Sequence, residues 1–103
     1  EEAVCVVRAI LWTEQAQFDL AAIHAFISQD SQHYASVTVR QLIAAVDQLA
    51  GFPESGRAVP EFEDPQVREI VRRTYRIVYR LVAGDQVHVL TIHHGSRQFP
   101  TQL

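Results

Sequence analysis

Lysine is absent from this chain of 103 residues, so all nine of its permanent positive charges are arginines. An arginine stays protonated and only donates hydrogen bonds, which suits it to hold anions and makes it a poor general base. Cysteine occurs once, as Cys5, which excludes an internal disulfide and fits a reducing cytoplasm as the expected location. Methionine is absent, and the first residues carry no reading. No apolar run approaches the roughly 20 residues that span a bilayer, and none resembles a signal peptide, so no membrane association is expected. Glycine and proline are scarce, four of each, and five of those eight fall between Gly51 and Pro65. That stretch is expected to be a loop, pinned to the core by Phe52, Val59 and Phe62.

What is present is an ordinary globular composition, 48% hydrophobic and 20% charged, enough for one core and one domain over residues 1–103. The net charge of −3 hides an asymmetry. Residues 1–66 carry three arginines against ten acids, whereas residues 67–103 carry six arginines against Glu69 and Asp85. The C-terminal third therefore reads as a basic patch on an acidic protein, or as a solvated sheet face.

In chain order, Val4 to Leu11 is β-branched and reads as a strand. Thr13 is placed to cap a helix over about residues 14–29, with Ala16, Leu20, Ile23 and Ile27 on one face. Asp30 or Ser31 can cap a second helix whose buried stripe is Ala35, Val39, Leu42, Ile43, Val46, Leu49 and Ala50, stopped by Gly51 and Pro53. Three strands follow: Val67 to Arg73, Tyr75 to Val82, and Val87 to His93 after a turn at residues 83–86. The expected fold is α+β: an N-terminal strand, an antiparallel helix hairpin and a three-stranded antiparallel meander, with the helices on one face of the sheet.

The middle strand of the meander, Tyr75-Arg76-Ile77-Val78-Tyr79-Arg80-Leu81-Val82, alternates apolar and basic side chains. Tyr75, Ile77 and Tyr79 should pack inward. With Arg68 and Arg72 on the preceding strand, Arg76 and Arg80 could place four guanidinium groups on one sheet face, provided the register holds. Such a face suits acidic side chains or a nucleic-acid backbone.

These residues also carry a resemblance. Trp12-Thr13, Ala16, Asp19-Leu20 and Ile23, then Phe52-Pro53, Gly56-Arg57 and Val59-Pro60-Glu61, then Val67-Arg68-Glu69, Tyr75 to Arg80, and His94-Gly95 with Arg97 together resemble the ParE branch of the RelE/ParE toxin superfamily. The resemblance spans nearly the whole chain. It implies a type II toxin, cytoplasmic, held inactive by a ParD-like antitoxin in a toxin–antitoxin hetero-oligomer. ParE-like members are known as inhibitors of DNA gyrase and RelE-like members as ribosome-dependent mRNA endonucleases.

The two activities need different residues. RNA cleavage by 2′-hydroxyl attack requires a base, stabilisation of the phosphorane and help for the leaving oxygen. In RelE-like nucleases this set comprises lysines, two arginines and a tail tyrosine. Arg76 and Arg97 match the arginines, but Val67 and Glu69 stand near the lysine positions and the six residues after Arg97 hold no tyrosine. The residues support a basic binding face and a deficient nuclease site, and the resemblance implies gyrase as the target, so the expectation is a gyrase-binding inhibitor and not an enzyme, with no cofactor, no metal and no sequence-specific nucleic-acid binding. Arg68, Arg72, Arg76, Arg80 and Arg97 are the candidate target contacts. A nuclease remains the alternative if His94 joins Arg76 and Arg97, as does a non-toxic protein that only binds antitoxin. Antitoxins of this class fold onto the toxin as they bind, so an apolar groove along the helix hairpin is expected, with Phe18, Phe26 and Tyr34, off the main buried stripe, as its candidate antitoxin contacts. Arg57 is either a further contact with antitoxin or target or the partner of Glu61 in a structural ion pair.

Overall fold

The computed structural model describes residues 9–83 and 85–95. Strand β1, Ala9–Trp12, leads directly into helix α1, Glu14–Ser28, because Thr13 is extended and its hydroxyl accepts the Ala16 amide. The same hydroxyl donates to the Val89 carbonyl at 2.7 Å, so the helix start is fastened to the sheet. Ser31 caps helix α2, Gln32–Asp47, by accepting from the Tyr34 amide. The helix then tightens into a 3₁₀ turn, Gln48–Ala50. Gly51 that follows is right-handed, with φ of −96°, so the helix ends by narrowing and not on a left-handed glycine.

Strands β3, Val67–Arg72, β4, Tyr75–Val82, and β5, Gln86–His94, form the expected meander. A two-residue turn at Arg73-Thr74, with Arg73 at φ of 56°, joins β3 to β4. The sheet gains a short strand that the sequence did not announce, β2, Arg57–Ala58, antiparallel to β3. The order is β1-β5-β4-β3-β2, and β1 runs parallel to β5. Leu90 is unpaired in a bulge between the pairs Val78–Thr91 and Tyr79–Val89, and the Asp19 carboxylate of α1 accepts from the Ile92 amide and the Thr91 hydroxyl beside it.

The main core lies between the helices and one sheet face, where Ala16, Leu42, Ala45, Val46 and Leu49 meet Ile70, Ile77, Tyr79, Val87, Val89 and Ile92. The α2 stripe is rotated from the expected one: Thr38 and Ala45 are buried and Ile43 is exposed. A second, smaller cluster of Val59, Val67 and Val78, with Phe62 and Leu90, lies under the loop after β2. Val59 and Phe62 thus pin that loop as expected, whereas Phe52 stands 68% exposed and pins nothing.

Candidate functional site

Register decides the site. In the β3–β4 pair Val67 opposes Arg80, Glu69 opposes Val78 and Val71 opposes Arg76, while Arg68 opposes Tyr79 and Arg72 opposes Tyr75. Directly opposed residues of an antiparallel pair share a face. Arg76 and Arg80 therefore lie on the face away from the helices, and Arg68 and Arg72 on the helix face, beside buried Tyr79 and half-buried Tyr75. The single face of four arginines does not form. The one-residue offset of the pairing divides it into two pairs.

The arginines of the outer face meet acids. Glu69 is wholly buried, and its carboxylate accepts from Arg57 Nε at 2.8 Å and from Arg76 Nε at 2.6 Å. The remaining nitrogens of Arg76 donate in parallel to both oxygens of Glu61, at 2.9 and 3.1 Å. Arg57 and Glu61 are thus not each other's partner. They are the ends of a ladder, Arg57, Glu69, Arg76, Glu61, whose four formal charges cancel. Arg80 in turn donates to Asp64 at 2.8 Å. The bidentate contact with Arg76 lowers the Glu61 pKa from its ordinary value, and Glu61 first, then Glu69, raise that of Arg76 against the effect of burial.

The loop that brings Glu61 and Asp64 over the sheet is held along its length. Gly56 donates its amide to the Tyr79 hydroxyl at 3.0 Å, and that hydroxyl donates to the Pro53 carbonyl at 2.8 Å. A β-carbon at Gly56 would stand 2.5 Å from the Tyr79 oxygen and 2.6 Å from the Glu69 carbonyl oxygen, so the close approach needs glycine. Burial raises the Tyr79 pKa, keeping the phenol a donor. Further on, the Asp64 side chain accepts from the Gln66 amide, and Leu81 donates to the Gln66 carbonyl at 2.8 Å.

Beside the ladder runs an open groove of about 610 Å³ lined by Arg57, Pro60, Glu61, Val71, Thr74, Arg76, His94 and Gly95. It brings together Arg76 and His94 of the nuclease alternative. The His94 ring stands edge-on to Tyr75, with centroids 5.3 Å apart. Arg97 lies outside the described residues. A smaller recess of about 280 Å³, at the end of β3 not covered by β2, is lined by Ser55, Arg57, Glu69, Ile70, Val71 and Arg72. Arg68 donates to the Gly56 carbonyl at 3.0 Å, and Arg72 to the carbonyl of Val71 at 2.9 Å.

The helix hairpin does carry an apolar groove, about 390 Å³, but its walls are Trp12, Gln17, Leu20, Ala21, His24, Val39 and Ile43. Phe18 and Phe26 lie outside it, 69% and 66% exposed, and Tyr34 receives a hydrogen bond from Arg73 at 2.9 Å under its guanidinium. Sequence reasoning missed Glu69 and Asp64 as the partners of the arginines. The available signal was parity, since Glu69 shares the strand face of Val67 and Val71. Among the described residues no helix is long and apolar enough to cross a membrane, and no three histidine, cysteine or acidic side chains are grouped to hold a metal ion.

A family model described as the ParE toxin of the type II toxin–antitoxin system parDE matches residues 10–99. The chain is 34% identical over 88 residues to Toxin RelE2 of Caulobacter vibrioides, covering 85% of this chain and 96% of that protein. Its fold matches a chain of the chromosomal ParDE system of P. aeruginosa with a TM-score of 0.69 and 25% identity, over 85% of this chain and 96% of the other. It also matches a chain of the RelBE2 toxin–antitoxin complex of Mycobacterium tuberculosis with a TM-score of 0.60 and 21% identity, over 86% and 99%, a likeness of fold.

Proposed function

This chain belongs to the ParE toxin family of type II toxin–antitoxin systems, and from that membership we propose that it is a toxin that acts by binding DNA gyrase and is neutralised by a ParD-like antitoxin. The observation that carries the binding reading is the state of Arg76. A cleaving site of this fold would need that guanidinium to receive a phosphate, and here it is clamped by Glu61 and Glu69 at 2.6 to 3.1 Å. No lysine stands in the chain to move a proton, and the ladder presents no net positive charge to RNA. The likeness to the ParDE toxin fold supports the antitoxin partner. Phe18 and Phe26, two turns apart on one face of α1, and the groove between the helices offer the apolar surface for it. Arg72, on the part of β3 beyond β2, and Arg57, which lines the same recess from β2 with its side chain 69% exposed, offer cationic contacts for the target.

A RelE-like ribonuclease is the second reading. It is favoured by His94 sharing the groove with Arg76, and by a relative that bears the RelE2 name. Regulated expression in a bacterial host separates the two. Gyrase poisoning is expected to arrest growth with loss of plasmid negative supercoiling and intact mRNA, and co-expression of the neighbouring antitoxin gene should restore growth. Arrest with cleaved mRNA and normal topology would favour the second reading.

A further inference from the structure

We propose that Glu61 is a specificity determinant: its carboxylate occupies the phosphate-holding fork of Arg76 and so keeps nucleic acid out of the groove. The geometry is that of a substituted ligand. Two parallel hydrogen bonds, 2.9 and 3.1 Å, join the guanidinium to both Glu61 oxygens, the arrangement in which arginine binds a phosphodiester. The third donor edge of Arg76, its Nε, is already held by buried Glu69. Glu61 thus fills the end-on edge made by the two terminal nitrogens of Arg76, at the groove that both residues line.

The two acids differ in how they are held. Glu69 is enclosed and shared with Arg57, so it belongs to the fold. Glu61 is 36% exposed at the groove rim, after Pro60 on a loop fixed by Val59 and Phe62 rather than by Glu61 itself. Withdrawing its charge leaves the loop anchored, changes the ladder from neutral to singly positive, and opens two guanidinium donors beside Arg57, Thr74 and His94. The groove is then a phosphate site. This deepens the binding reading above, because it names what separates a protein-binding toxin from a polyanion-binding one on the same surface.

The test uses the purified chain and a fluorescein-labelled single-stranded RNA about ten nucleotides long, a length suited to one small domain. Binding is read by anisotropy at several salt concentrations for the wild type, Glu61→Gln, Glu61→Ala and Glu63→Gln. Glu63 is exposed on the same loop outside the groove lining, so its variant makes the same change in net charge away from Arg76. Both Glu61 variants are expected to bind about tenfold more tightly than the wild type, with a steeper salt dependence, and Glu63→Gln to bind like the wild type. Equal affinity of wild type and Glu61 variants, or an equal gain in Glu63→Gln, would overturn the proposal. Gyrase inhibition by the wild type is read separately, so failure of the gate and failure of the gyrase reading give different results.

Discussion

At the scale of single residues, the ladder makes a testable order of stabilities. Replacing Arg76 by Met leaves buried Glu69 with Arg57 alone, a partner whose side chain is 69% exposed, and a loss of about 3–5 kcal/mol is expected. Glu69→Gln leaves Arg76 with Glu61 and should lose less, about 1–3 kcal/mol. Urea unfolding measures both, and the reverse order would contradict the assignment of Glu69 as the enclosed member. Glu61 has a folded pKa below its ordinary 4.5, so its contribution is full above that value and is lost as pH falls through the lowered one. Carboxyl carbon shifts followed by NMR in acid should place its midpoint below 4.5, and a midpoint at or above 4.5 would mean that the Arg76 contact does not persist in solution. Gly56→Ala forces a methyl group against the Tyr79 hydroxyl and the Glu69 carbonyl, with an expected cost of about 1–3 kcal/mol in the same unfolding assay. Strand parity put Glu69 on the face of Val67 and Val71, but the partners themselves were not legible from sequence. Arg57 was weighed against Glu61, four residues away, whereas its acid is Glu69, twelve away on another strand.

At the scale of elements, much more was legible. Apolar spacing and capping residues located both helices, and Ser31 and Thr13 serve as the caps their positions suggest. Strands β3, β4 and β5 follow their alternation and turn signals closely. Strand β2 was hidden because two residues, Arg57 and Ala58, show no period and exist only through pairing with Glu69 and Arg68. The arginine face failed for a related reason: periodicity tells which residues share a face within a strand, but only pairing tells which faces of two strands coincide. The exposed Ile43 and buried Thr38 mark the limit of a stripe read by hydrophobicity alone. Among the described residues the buried Thr38 hydroxyl has no hydrogen-bond partner, so Thr38→Val should be neutral or stabilise by up to about 1 kcal/mol, read as a rise in thermal midpoint.

For the molecule as a whole, the charge asymmetry seen along the chain is undone on the outer face of the sheet, while Arg68, Arg72 and Arg73 bond neutral oxygens elsewhere. Acids of the loop after β2, Glu61 and Asp64, return to arginines of β4, and Glu69 within β3 takes two more donors. The basic third of the sequence is therefore not a basic surface on the outer face of the sheet, and this favours a protein target over RNA. The toxin fold and its family follow from nearly the whole chain, whereas the activity proposed above rests on one groove and the charge within it. Purified protein added to gyrase with relaxed plasmid, beside ribosomes programmed with mRNA mapped by primer extension, tests that conclusion most directly. The binding account expects supercoiling to be inhibited and cleavage complexes to accumulate while the mRNA stays intact. Ribosome-dependent cleavage of the mRNA with gyrase unaffected would contradict it, and would make His94 and Arg76 the residues to replace first.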